Sequence, residues 1–170
     1  LFLSKPLSRW ALLSGKYAGA VVVVFTNVLY FIGSLWLIFG IKTGVWNIQF
    51  LLSAFSLTFV FMCLYAMVVI LGVVSRNTAI SIIGAFLYLF VISTLLHHRD
   101  SSLYLVSANV VYRATVDGLY AVLPQLSAMQ ENIPKLITNG AFDWKPFLQS
   151  MLSSAVIFAG GAALFSRKDF

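Results

Sequence analysis

Four long charge-free runs carry most of the chain's apolar residues, and the polar positions collect between them. Residues 17–41 hold no charge over 25 positions, beginning YAGAVVVVFTNVLYFIGSLWLIFG. A helix needs about 20 apolar residues to cross the hydrocarbon core, so a first span is expected near 17–40. Lys42 and Arg76 enclose 33 uncharged residues. Their opening, TGVWNIQ, is polar and turn-like, and FLLSAFSLTFVFMCLYAMVVILGVV predicts a second span near 50–74. The 20 residues between Arg76 and His97 predict a third near 78–96, joined to the second by the short link SRNT. After Lys145, PFLQSMLSSAVIFAGGAALFS predicts a fourth near 147–165, rich in the small residues that let helices approach closely.

The stretch 97–146 breaks this pattern. It carries Arg99, Asp100, Arg113, Asp117, Glu131, Lys135, Asp143 and Lys145. Tyr112, Val116, Leu119, Tyr120 and Leu123 recur at helical spacing, with Arg113 and Asp117 four apart on a polar face. An amphipathic helix over 105–123 follows, lying at the membrane interface and ended by Pro124. A fifth span there would bury two charges at a cost of several kcal/mol. The remainder reads as loop until FDWKP, where Asp143 is placed to cap the next helix. The expected fold is an all-α integral membrane protein: a polytopic bundle of four spans with one outer amphipathic helix.

Composition supports that class. Charged residues are 9% of the chain, hydrophobic ones 61%, and mean hydropathy is +0.96. Ordinary soluble domains carry about 25% charge. The net charge of +6 has no basic stripe or zinc-ligand spacing behind it, so nucleic acid is not an expected partner. With the first residue cytoplasmic, segments 1–16, 75–78 and 166–170 place six Lys and Arg in 25 residues, against five in the 59 residues of 41–49 and 97–146. Cation density therefore favours cytoplasmic ends for this chain. Trp10, Tyr17, Trp36, Trp46 and Trp144 sit at the expected interfaces. Cys63 is the only cysteine, so no disulfide forms within the chain. The chain begins at Leu1 rather than Met and reads as a piece lacking its beginning.

Several chemistries are disfavoured. Gly15-Lys16 suggests a phosphate loop, but the motif needs glycine where Trp10 stands and Ser or Thr where Tyr17 stands. Adjacent His97 and His98 near Asp100 suggest a metal, but neighbours on a helix point about 100° apart, so no metal ligands are expected. No span contains Asp, Glu, Lys or Arg, which argues against a proton relay or an intramembrane carboxylate catalyst. No catalytic residue is expected. Thr26 and Asn27, mid-span, are either a candidate substrate path or helix-to-helix hydrogen-bonding groups. Gly15 with Gly19, and Ala155, Ala159 and Ala163, have the small-xxx-small spacing of packing faces.

Two stretches carry a family resemblance. LSKPLSRWALLSGKYAGA (3–20) resembles the segment before the third span of permeases in the type-two ABC exporter superfamily, through Pro6, Ser8, Arg9, Gly15, Lys16 and Gly19. LYAVLPQLSAMQ (119–130) is similar to that family's outer Leu-Pro element, with Gln125 in place of the usual asparagine. ALFSRKDF (163–170) is similar to its ending. The resemblance implies a permease with its first two spans missing from this sequence. It also implies a second permease as partner, and a cytosolic ATP-binding-cassette subunit that holds ATP and Mg. This chain would hold no cofactor and act in the cell membrane. Lys5, Pro6, Leu7, Ser8, Arg9 and Trp10 would transmit the ATPase's motion to the spans, the cations adding salt-dependent attraction. On the residues alone, those cations serve equally to fix topology at an anionic leaflet. A non-transporting scaffold and a lipid-modifying enzyme using His97 and His98 remain the competing readings.

Overall fold

The computed structural model describes residues 8–106, 109–138 and 140–167. These form six helices and, among the described residues, no strand: α1 (Arg9–Thr43), α2 (Ile48–Ser75), α3 (Thr78–His97), α4 (Val110–Val122), α5 (Leu126–Ile137) and α6 (Lys145–Arg167). Helices α1, α2, α3 and α6 are each long and apolar enough to cross a membrane. The protein is an all-α, multi-pass membrane bundle. We call the end carrying Ser8, Ser75–Asn77 and Arg167 proximal, and the opposite end distal.

Local chemistry sets the turns. Ser8 Oγ accepts from the Ala11 N–H at 3.2 Å and starts α1. Gly44 ends it at φ 71°, a left-handed conformation that costs glycine no Cβ clash. Asn47 Oδ1 then accepts from the Gln49 N–H at 2.9 Å and starts α2. The Trp46 ring folds back onto Gly40 so closely that a Cβ there would lie 2.6 Å from it. At the proximal end, Arg76 takes the left-handed turn at φ 55° and Asn77 caps α3. The α2–α3 link is thus only two residues long.

Helix α2 is the central post, touching α1, α3, α5 and α6. It runs antiparallel to α1: Tyr17 Oη donates to the Met62 carbonyl at 2.7 Å, Phe25 meets Phe55, and Trp36 Nε1 donates to the Asn47 carbonyl at 2.9 Å. It runs parallel to α6: Phe59 meets Phe147, the Cys63 thiol donates to the Ser150 carbonyl at 3.7 Å, and Gly161 approaches Ile70. A Cβ on Gly161 would lie 3.4 Å from the Ile70 Cα. The two helices thus approach to ordinary contact distance here, as expected where packing rather than hydrophobic exclusion holds helices together in lipid.

Helix α3 is not regular. Residues Tyr88–Ile92 form a π turn, and the Ser93 N–H bonds five residues back to the Tyr88 carbonyl. Its buried positions are Ser81, Ala85, Tyr88, Ser93 and Leu96. The step from 88 to 93 is one residue too long for an α-helical stripe, and the wide turn absorbs it. Tyr88, Ser93 and Leu96 therefore stay on one side, the side that receives α5.

The distal region departs from the sequence expectation. The structure corrects 97–146 from an outer loop with one interfacial helix to two helices, one of them inside the bundle. Helix α4 occupies most of the expected 105–123 segment and buries only Val116. Helix α5, read as loop, buries Leu126, Ser127, Ala128, Met129, Asn132 and Ile133. Leu126, Met129 and Ile133 join Val60, Cys63, Met67, Tyr88 and Phe147 in the main core.

Candidate functional site

The start of α5 lies next to the middle of α3. Tyr88 is nine residues before the distal end of that helix, about 13 Å at 1.5 Å per residue, and its Oη donates to the Pro124 carbonyl at 2.7 Å. Pro124 and Gln125 thus mark the tip of a re-entrant element, descending through α4 and rising again through α5. At the rising end, Asn47 Nδ2 donates to the Ile137 carbonyl at 2.9 Å.

A polar network holds the tip. The Ser127 N–H donates to Ser93 Oγ at 3.0 Å, the two hydroxyls lie 3.0 Å apart, and Thr94 adds a contact at 3.3 Å. From α6, Ser150 Oγ accepts from the Gln125 N–H at 2.8 Å. The Gln125 side-chain amide donates to Gln149 Oε1 at 2.7 Å. Gln149 in turn donates to the Ala121 carbonyl at 2.6 Å. These bonds meet the need that buried backbone groups outside a regular helix must find partners, which non-helical chain at membrane depth satisfies only against protein or water.

Above the tip, an ionic latch ties the turn that follows α3 to α4. Arg99 Nε donates to Asp117 Oδ1 at 2.8 Å, Tyr104 Oη donates to the same oxygen at 2.6 Å, and the Arg99 guanidinium stacks 4.2 Å from the Tyr120 ring centre. The Tyr104 hydrogen bond, then that from Arg99, holds the Asp117 carboxyl below its ordinary pKa, and the same bond raises that of Tyr104. Arg113, four residues from Asp117 on the same polar face, makes a different contact: its guanidinium lies 5.1 Å from the Tyr104 ring centre. Beside the latch, His97 and His98 both face Glu131 of α5.

An apolar recess of about 460 Å³ opens between α2 and α6 near the distal end. Phe55, Phe59, Phe142, Trp144 and Phe147 are among its walls, and no charged side chain lines it. It suits hydrocarbon rather than a hydrated solute.

The geometry on its own is that of a four-span helical membrane domain with a re-entrant distal element and no acidic residue in its four long helices. A protein-family model described as ABC-2 family transporter protein matches residues 1–170, the whole chain. The chain belongs to the ABC-2 transporter family. No curated protein and no solved structure matches it.

As an ABC-2 permease domain, the chain places its expected site residues unevenly. Lys5, Pro6 and Leu7 lie outside the described residues. Ser8 is the cap of α1, Arg9 its first residue, and Trp10 packs edge-on against Phe158 of α6 at 6.2 Å. Gly15 and Gly19 face open space: a Cβ on either would meet nothing within 4 Å. Ala155 and Ala159 are exposed. The face of α6 that packs carries Ser150, Ser154, Gly161 and Ala162 instead. Thr26 and Asn27 are exposed on α1 and bond to the carbonyls of Val22 and Val23 in their own helix.

The residues that sequence reasoning missed are those of α5 and its sockets: Tyr88, Ser93, Gln125, Ser127 and Ser150. A signal existed. Leu126, Met129, Ile133 and Ile137 repeat at helical spacing, and Glu131 and Lys135 stand four apart on the other side. Pro134 masked it, because a proline inside a helix has no N–H for the carbonyl four residues back and usually ends or kinks the helix.

Proposed function

We propose that this chain is the permease domain of an ATP-driven exporter. A separate cytosolic ATP-binding-cassette subunit holds ATP and Mg, and a second permease completes the path. The observation that carries the reading is the ABC-2 family match across residues 1–170. The geometry supports it in two ways. Helix α1 starts at Arg9, and its 35 residues extend about 52 Å, well beyond the ~30 Å hydrocarbon core. A push on Arg9 and Trp10 would therefore move a long lever. At the other end, α5 closes the bundle through the hydrogen bonds at its tip and the core contacts of Leu126, Met129 and Ile133.

In this reading the proximal end is cytoplasmic, in the cell membrane, on the strength of cation density. ATP-driven closure of the partner shifts α1 and α6, which meet through Trp10, Tyr17 and Phe158. The shift is passed to α2 and frees the α4–α5 element. No residue of this chain performs covalent chemistry; its work is a change of access between two states.

The test is ATP turnover of the reconstituted complex. Arg9→Glu and Lys5→Glu together are expected to weaken co-purification with the ATPase and to remove coupled turnover, more strongly at high salt. Unchanged assembly and turnover would refute the coupling role. Assembly without any effect on transport would favour the scaffold reading.

A further inference from the structure

The distal cluster of His97, His98 and Glu131 has the make-up of a metal site. Neighbouring residues inside a helix diverge by about 100°, but the helix ends between these two. His97 is the last residue of α3, and His98 leaves it at φ −93°, ψ 32°. Their rings sit 4.8 Å apart in an edge-on arrangement, and both Nε2 atoms reach one carboxylate. His97 Nε2 is 3.0 Å from Glu131 Oε2, and His98 Nε2 is 3.5 Å from Oε1. The three donor atoms all lie within 4.8 Å of one another.

We propose that these residues bind one divalent late transition-metal ion, of the Zn²⁺ class, with a coordination position left open. Metal–ligand bonds of about 2.0–2.2 Å in a tetrahedron separate the donors by roughly 3.3 Å, so the observed spacings need only small side-chain rotations. His98 and Glu131 are half exposed and free to make them. Two imidazoles with one carboxylate suit Zn²⁺, Cu²⁺ or Ni²⁺, whereas Ca²⁺ and Mg²⁺ want oxygen donors. The cationic neighbour is otherwise engaged: Arg99 is held by Asp117. The ion would join the distal end of α3 to the exposed side of α5, whose opposite side is in the core. It would therefore clamp the re-entrant element in its inserted position.

Residues 1–170 hold two histidines and one cysteine, the cysteine buried in the core, so a double histidine variant leaves no imidazole within this domain to bind metal adventitiously. The experiment uses full-length permease, purified without a polyhistidine tag and stripped by chelator, titrated with Zn²⁺ by calorimetry. Thermal unfolding is followed with and without the ion. One ion per chain is expected, with unfolding moved to higher temperature by Zn²⁺ and moved back by chelator. His98→Ala, at an exposed position, is expected to weaken binding by about tenfold or more, as is Glu131→Gln. The metal-free unfolding temperature of His98→Ala should stay near wild type, which separates ligation from folding. Equal stoichiometry and affinity in wild type and in the His97→Gln/His98→Gln variant would overturn the proposal. So would wild-type protein that takes up no Zn²⁺.

Discussion

Helices α1 and α5 reverse the usual relation between hydrophobicity and burial. The most apolar 18 residues of α1 average a hydropathy of 2.2, yet only 6% of them are buried in the protein. Helix α5 contains Ser, Gln, Glu, Asn and Lys, yet its Leu126 and Met129 are completely enclosed. In water the apolar helix would be the core and the polar one the surface. In lipid, a hydrocarbon-covered helix needs no protein cover, and burial goes to the segment whose backbone and side chains need hydrogen-bond partners. What α1 leaves uncovered is free to meet lipid or other chains. What α5 occupies is the middle of the bundle.

The contrast breaks most severely if the register of α3 is shifted beyond what its π turn absorbs. Inserting one alanine after Ile92 adds a further residue and should rotate Ser93, Leu96 and His97 by about 100° away from α5. The bundle is expected to lose its fold or the docked α5, read as loss of a monodisperse peak and protease cleavage between α5 and α6. Next, truncation should separate the two helices. Met129→Ala is expected to destabilise by about 2–5 kcal/mol, and Phe31→Ala on the exposed side of α1 by about 0.5 or less, measured by reversible unfolding in detergent. Equal losses would contradict the comparison. Tyr88→Phe keeps the ring but removes one of two donors to the Pro124 carbonyl, which retains the Leu126 N–H at 3.0 Å, and should cost about 0.5–1.5 kcal/mol.

The smallest effect concerns the exposed latch. Because the Asp117 pKa is lowered on folding, its contribution is present above the ordinary aspartate value of 3.8 and is lost as pH falls through the lower folded value. The latch should therefore persist at pH 5. Carboxyl NMR should place the Asp117 midpoint below 3.8, and Tyr104→Phe should move it upward.

Much of this architecture was legible in the sequence. The charge-free runs identify four membrane helices because lipid imposes a single length requirement that composition alone reveals. Asn47, Asn77 and Gly44 mark turns through local chemistry. What stayed hidden is long-range. The destination of α5 depends on sockets from α2, α3 and α6 that no spacing along 124–137 discloses. The π turn is an adjustment to that partner. The convergence of His97 and His98 depends on where a helix stops, to within one residue. Small residues misled for a related reason: Gly15, Gly19, Ala155 and Ala159 have packing spacing, but only a third helix in the right place decides which face is used, and α2 chose Ser150, Ser154 and Gly161.

The central claim is that α5 leaves its inserted position during the ATP-driven cycle. Ser93 and Ser127, with hydroxyls 3.0 Å apart, offer a direct test. In a Cys63→Ala background, Ser93→Cys with Ser127→Cys should cross-link on oxidation and pin α5 to α3. The reconstituted complex should then lose most of its coupled ATP turnover and regain it on adding reductant. Full turnover with the cross-link complete would contradict the account.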